Sequence, residues 1–134
     1  MAGEPILIVD DNVTNLKLVR VLLETEGHTI RTASHASEAL RVLLDFRPQL
    51  ILMDIQLPDI DGLTLTRQLK ADPKTADITV VALTAYAMKG DEEKALASGC
   101  SGYITKPVDT RQLVRQVEQY LEFPSSVARQ PAGV

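Results

Sequence analysis

The chain has a single cysteine, Cys100, so no intrachain disulfide can form and its 134 residues must be stabilised without such a staple. A reducing, cytoplasmic setting is the expected one. The opening "MAGEP" has no basic segment followed by an apolar stretch, and no apolar run approaches the ~18 residues a membrane span requires. An unexported protein without membrane association is therefore expected. Basic residues are not in excess either, since the formal net charge is −4, which gives no general attraction to nucleic acid. Internal repeats and low-complexity tracts are missing too. The length predicts one ordinary domain, able to bury roughly two-thirds of the surface its unfolded chain exposes.

What is present is alternation. Apolar runs of strand length are followed, five times, by segments of helical period, which predicts an α/β fold with a parallel sheet covered on both faces. "ILIV" at 6–9, "LILM" at 50–53 and "TVVAL" at 79–83 are continuously apolar or β-branched, as central strands are. "HTIRTA" at 28–33 alternates and "GYIT" at 102–105 is short, which places both at sheet edges. Helical faces are marked by Leu16, Val19 and Leu23, by Ala39, Leu40, Leu43 and Leu44, and by Leu63, Leu65 and Leu69. A fourth helix around Gly90 to Ser98 has a first turn loaded with Asp91, Glu92 and Glu93 and only Ala95 and Leu96 as anchors, so it is expected to shift most easily. The last, from about Asp109 to Phe123, has the clearest stripe (Leu113, Val117, Tyr120, Leu121), with Asp109 as its N-cap and Gln112 as box partner. The aperiodic "PSSVARQPAGV" that follows divides the chain into a domain over 1–123 and a tail or linker stub over 124–134.

Ligands of open α/β sheets gather outside the carboxyl ends of the strands. Here those ends run into Asp10 and Asp11, into Asp54, into Thr84 and into Lys106. Each has an ordinary reading when taken alone: Asp11 before "NVTN" as a helix cap, Thr84 as a strand end, Lys106 as a solvated lysine. Taken together, three carboxylates brought close raise each other's pKa and cost stability unless a cation neutralises them. A hard divalent ion with oxygen ligands, Mg²⁺ by preference, suits them. His28 and His35 fall at no such end and are read as surface residues, Cys100 as a small apolar packing residue, and "GDEEK" as a solvated helix start.

The ordered set "ILIVDDN", "LILMDIQLPDIDG", "VVALTA" and "GYITKP" resembles the receiver domain of two-component response regulators, over about Ile6 to Leu121. The wording of "TAYAMKGDEEKALASGCSGYITKP" is similar to stand-alone receivers of the cell-cycle type and to receivers fused to hybrid histidine kinases. The resemblance implies a flavodoxin-like (βα)5 fold with strand order 2-1-3-4-5. It implies that Asp54 accepts the phosphoryl group, that Asp11 binds Mg²⁺ directly and Asp10 through water, and that Asp54 and the Gln56 carbonyl complete the protein ligands. Lys106 would supply charge to the transfer, Thr84 and Tyr103 would read the phosphate, Ala85 would leave it room, and Pro107 would follow a cis bond. Leu57-Pro58 and Asp61-Gly62 read as the turn after the acceptor strand. Tyr86, two positions beyond Thr84, offers no carboxylate to a hydrolytic water, and its ring is expected to crowd the line of attack on the acyl phosphate. Gln56, two beyond the acceptor, is likewise expected to affect phosphate lifetime. The implied partners are a histidine kinase or histidine phosphotransfer protein and a protein effector met through the fourth helix, fifth strand and fifth helix. No catalysis is implied beyond the domain's own phosphorylation and dephosphorylation. Two other readings fit less well. A haloacid-dehalogenase-type hydrolase places a DxD pair after its first strand, where this chain has adjacent Asp10-Asp11, and a flavodoxin needs a phosphate loop that "DDNVTN" would repel.

Overall fold

The structure is a computed structural model that describes residues 3–85 and 89–122. Tyr86 and the tail over 124–134 lie outside the described residues. Strands and helices alternate as β1 (Pro5–Val9), α1 (Val13–Thr25), β2 (Thr29–Ala33), α2 (Ala36–Val42), β3 (Leu50–Asp54), α3 (Gly62–Ala71), β4 (Thr79–Thr84), α4 (Lys89–Ala97), β5 (Gly102–Thr105) and α5 (Thr110–Glu122). The sheet is parallel throughout, in the order β2-β1-β3-β4-β5, with the alternating and the short strand at its edges as expected. This is the flavodoxin-like (βα)5 arrangement.

Strand alternation splits the core in two. Leu7, Val9, Ile51, Met53, Val80 and Ala82 face one way and pack against α2, α3 and α4 through residues such as Ala39, Leu65, Leu69 and Ala95. Ile6, Ile8, Leu50, Leu52, Val81 and Leu83 face the other way, onto Val19 and Leu23 of α1 and Leu113 and Val117 of α5. Because β1, β3 and β4 are covered on both sides, they are apolar without a break over 6–9, 50–53 and 80–83.

Helix starts are set by side chains that accept from otherwise unpaired backbone N–H groups. Asn12, not Asp11, caps α1 by accepting from the Asn15 N–H at 2.9 Å. Asp61 caps α3 through the N–H groups of Leu63 and Thr64. Asp109 caps α5 by accepting from the Arg111 N–H at 2.9 Å, whereas the Gln112 N–H goes to the Asp109 carbonyl. His35 caps α2, and Asp59, from the loop after β3, also accepts from Ala36 and Ser37 there. These bonds to Asp59 hold its carboxyl well below the usual range and tie α2 to the loop that follows β3.

Three expectations are corrected. His28 is not a surface residue: its side chain is 1% exposed, with Nδ1 3.2 Å from Glu4 and Nε2 3.8 Å from Glu118, because the turn before β2 tucks it between the start of β1 and α5. Leu44 is 85% exposed rather than part of a buried helical face. Here α2 stops at Val42, and the tighter bonds Leu44 N–H to Arg41 O and Asp45 N–H to Val42 O turn the chain away from the core. In α4, Ala95 is buried but Leu96 is 41% exposed, so the helix is even more lightly anchored than its sequence predicts. Cys100 is buried, as expected, and burial pushes its thiol up to about 11.

One glycine is required by close approach. A Cβ on Gly62 would lie 2.0 Å from the Asp54 carbonyl oxygen and 3.0 Å from Met53 Cγ, while the Gly62 N–H donates to Ile55 O at 2.7 Å. The first turn of α3 therefore rests directly on the end of β3. Gly62→Ala is expected to lower stability by about 1–3 kcal/mol through overpacking, whereas Leu44→Ser should change it by no more than about 0.5 kcal/mol. Urea unfolding midpoints of the two variants check both values.

Candidate functional site

The carboxyl ends of β1, β3, β4 and β5 bring the expected groups into one cleft. The side chain of Asp10 is fully buried and Asp54 is 4% exposed, while Asp11 is exposed at the rim. One carboxylate oxygen from each of these acids lies within 4.8 Å of the others. Lys106 spans two of them, its Nζ 3.1 Å from Asp10 Oδ2 and 3.2 Å from Asp54 Oδ2. Its backbone N–H donates to Thr84 O at 2.7 Å, which holds the end of β5 against β4, and the Lys106-Pro107 bond is cis.

Register explains the placement of Asp54. It pairs opposite Leu83, and the next N–H, that of Ile55, donates to Leu83 O at 3.1 Å, so sheet pairing continues past Asp54. The Gln56 N–H then turns back to Asp54 Oδ1 at 3.0 Å. Burial pushes the Asp54 carboxyl up from an ordinary 3.8 to about 6; Asp10 adds to this, while the Gln56 N–H and Lys106 oppose it. Burial alone would lower the Lys106 ammonium, but Asp10 and Asp54 raise it above the usual lysine range. The cleft thus holds more negative charge than its single lysine offsets.

Thr84 is buried on the same sheet face as Val80 and Ala82, the face against which Tyr103 also packs. The Glu92 carboxylate on α4 acts on the Tyr103 hydroxyl and, with burial, raises its pKa. Ala85 and Pro107 line a groove that Lys106 also borders, together with Asn12, Asn15 and Leu18. Two other grooves, both bordered by Arg47 and Ile78, lie at the opposite, amino-terminal end of the strands and contain none of these groups.

Two contributors were not anticipated from the sequence. Glu92 was read only as part of a solvated helix start, yet it is the partner of Tyr103. Asn15 was not singled out at all; its Nδ2 donates to Asp10 Oδ2 at 2.5 Å. The available signal was its place three residues after the cap, from which a side chain can reach back over the helix start.

The family model of the response regulator receiver domain matches residues 6–118. The chain belongs to that family. The polar-differentiation response regulator DivK of Brucella anthropi is 47% identical over 117 residues, covering 87% of this chain and 94% of the relative. A putative response regulator from Chloroflexus aurantiacus superposes with a TM-score of 0.85 at 29% identity, covering 90% of this chain and 98% of that one. The receiver domain of a sensor histidine kinase from Pseudomonas aeruginosa PAO1, solved with a magnesium ion in its active-site cleft, has a TM-score of 0.81 at 32% identity over 90% and 99% of the two chains. The similarity thus extends both to DivK and to kinase-borne receivers. As a receiver, the chain is a phosphoacceptor of two-component signalling whose only catalysis is of its own phosphorylation and dephosphorylation.

The raised Asp54 carboxyl has a thermodynamic consequence. Protons bind it more tightly in the folded than in the unfolded chain, so the associated stability is fully present below the unfolded value of 3.8 and is lost as pH rises through about 6. Asp54→Asn carries no such charge and should be more stable than the wild type near neutral pH, on the order of 1–3 kcal/mol. The advantage should vanish below about pH 4. Thermal unfolding of both proteins across that range, without divalent ions, tests the sign.

Proposed function

We propose that Asp54 is the phosphoacceptor of this receiver and that Asp10, Asp11 and Gln56 serve a Mg²⁺ ion beside it. The observation that carries this reading is a nearly buried carboxylate at the end of the central acceptor strand, with two further acids and one lysine converging on it. The donor set is hard and negative, which suits Mg²⁺. Asp11, at the rim, is placed to bind the ion directly. Asp10 already accepts from Asn12, Asn15 and Lys106, which favours contact through water. The Gln56 carbonyl would add a ligand next to the acceptor. Bound Mg²⁺ supplies charge neutralisation to the phosphoryl oxygens, as the magnesium in the Pseudomonas aeruginosa cleft supports by analogy.

Asp54 then acts as the nucleophile, and Lys106, already between two carboxylates, is within reach of charge developing at the acceptor. Thr84 offers a hydroxyl to the new phosphoryl group. Ala85, small beside Thr84, leaves room for that group, and Pro107 follows Lys106 across a cis bond. Tyr86 keeps its proposed role as a shield against water.

A protein phosphodonor, the phosphohistidine of a kinase or phosphotransfer protein, suits the surroundings better than a small substrate. Val13, Leu18 and Val21 are exposed on α1, and Leu18 also borders the groove beside Lys106, so α1 offers apolar surface near the site. Output would pass through α4, β5 and α5 to a protein effector, with Tyr103 and its Glu92 contact as the moving part. The net charge of −4 gives no support to nucleic acid as a partner. Among the described residues no helix is long and apolar enough to cross a membrane, which accords with a cytoplasmic setting.

Incubation with Mg²⁺ and acetyl phosphate is expected to add one phosphoryl group, and Asp54→Asn should abolish the addition. Intact-mass spectra showing equal modification of the variant would overturn the assignment. A second experiment separates transmission from chemistry. Phosphorylated Tyr103→Ala should keep its phosphoryl group but show smaller changes in amide exchange across α4, β5 and α5 than the phosphorylated wild type. Identical exchange would remove Tyr103 from the readout.

A further inference from the structure

Asp10 is held more completely than any other carboxylate of the cleft. Its Oδ1 accepts from the Asn12 N–H at 2.9 Å, and its Oδ2 accepts from both Asn15 Nδ2 at 2.5 Å and Lys106 Nζ at 3.1 Å. Asn15 is itself fixed, because its N–H donates to the cap Asn12 at 2.9 Å. Residues 10, 12 and 15 therefore form one closed unit joining the end of β1 to the first turn of α1.

We infer that Asn15 is a positioning residue of the receiver site, whose amide keeps Asp10 oriented for the hydrated cation independently of Lys106. The inference rests on the reading of the acidic cluster as a Mg²⁺ site. Lys106 cannot serve this purpose alone, since the same ammonium also bonds Asp54 at 3.2 Å and must follow the charge when a phosphoryl group is attached there. A fully buried carboxylate that loses a donor is costly, and Asn15 supplies one that stays. An amide also suits the place better than a second cation. It holds the carboxylate without adding positive charge that would repel the metal, as groups around a metal's immediate ligands commonly do.

Calorimetric titration of the unphosphorylated protein with magnesium chloride, with no phosphodonor present, tests this. Asn15→Leu keeps the size of the side chain and removes the donor, and it should raise the Mg²⁺ dissociation constant about tenfold. Asn15→Gln, which retains an amide donor on a longer stem, should recover part of the loss. In acetyl phosphate labelling the Mg²⁺ concentration for half-maximal rate should rise in Asn15→Leu, while the rate at saturating Mg²⁺ stays near that of the wild type. If Asn15 only braces α1, the melting temperature will fall while the Mg²⁺ constant stays at the wild-type value, and that result overturns the inference. Should the leucine variant fail to fold, Asn15→Ser, too short to reach Asp10, replaces it with the same expected loss and the same overturning result. A wild type that binds no Mg²⁺ overturns the metal reading and this inference together; a wild type that binds, with an unchanged constant in the variants, overturns the role of Asn15 alone.

Discussion

One ammonium held between two buried carboxylates is the contact on which the arrangement of this receiver depends. Lys106 reaches Asp10 at 3.1 Å and Asp54 at 3.2 Å, and these three residues come from three separate strand ends. Without it the end of the sheet would concentrate like charge in a place that water scarcely reaches, a cost no nearby apolar packing offsets. With it the site is held together although three carboxylates face one ammonium, and burial still pushes the Asp54 carboxyl up. A cluster of that charge is one that could hold a metal ion.

The rest of the fold serves to keep this contact in place. Continuous apolar strands, covered on both faces, let β1, β3 and β4 stand side by side with their polar ends aligned. Gly62 lets α3 seat directly on the end of β3, and the Asn12 cap starts α1 immediately beyond the acids. Rigidity is graded away from this centre. In α4 Ala95 is buried while Leu96 stands out in solvent, and its Glu92 carboxylate acts on the Tyr103 hydroxyl of β5. A lightly seated helix tied to a half-buried tyrosine is suited to change position at small cost, which α3, with Leu65 and Leu69 buried, is not.

Much of this was legible in the residues. Continuous apolar runs, one alternating segment and helical spacing located the five strands and five helices, because each element buries one face or both and the pattern records it. Asp10, Asp11, Asp54 and Lys106 were legible for a similar reason: a polar residue ending an apolar run is conspicuous, and a parallel sheet brings such ends together. Errors arose where burial depends on elements distant in sequence. His28 looked like a surface histidine because nothing within its own segment indicates that Glu4 and Glu118 flank it. Leu44 continued a helical spacing that the backbone abandons after Val42. Glu92 looked like part of a solvated helix start and Asn15 carried no signal of its own, and only the packed chain sets them beside Tyr103 and Asp10.

The sequence by itself determined the architecture, the order of elements and the set of ionisable groups at the strand ends. These follow from hydrophobic periodicity and from the topology that alternating strands and helices impose. Tertiary structure alone decided how those groups divide their work. Which acid is sealed and which stands at the rim, which oxygen Lys106 takes, and which amide holds Asp10 are set by distances of about 3 Å between residues up to 96 positions apart in sequence. Hydrogen bonds and desolvation act over such distances, and no local pattern encodes them.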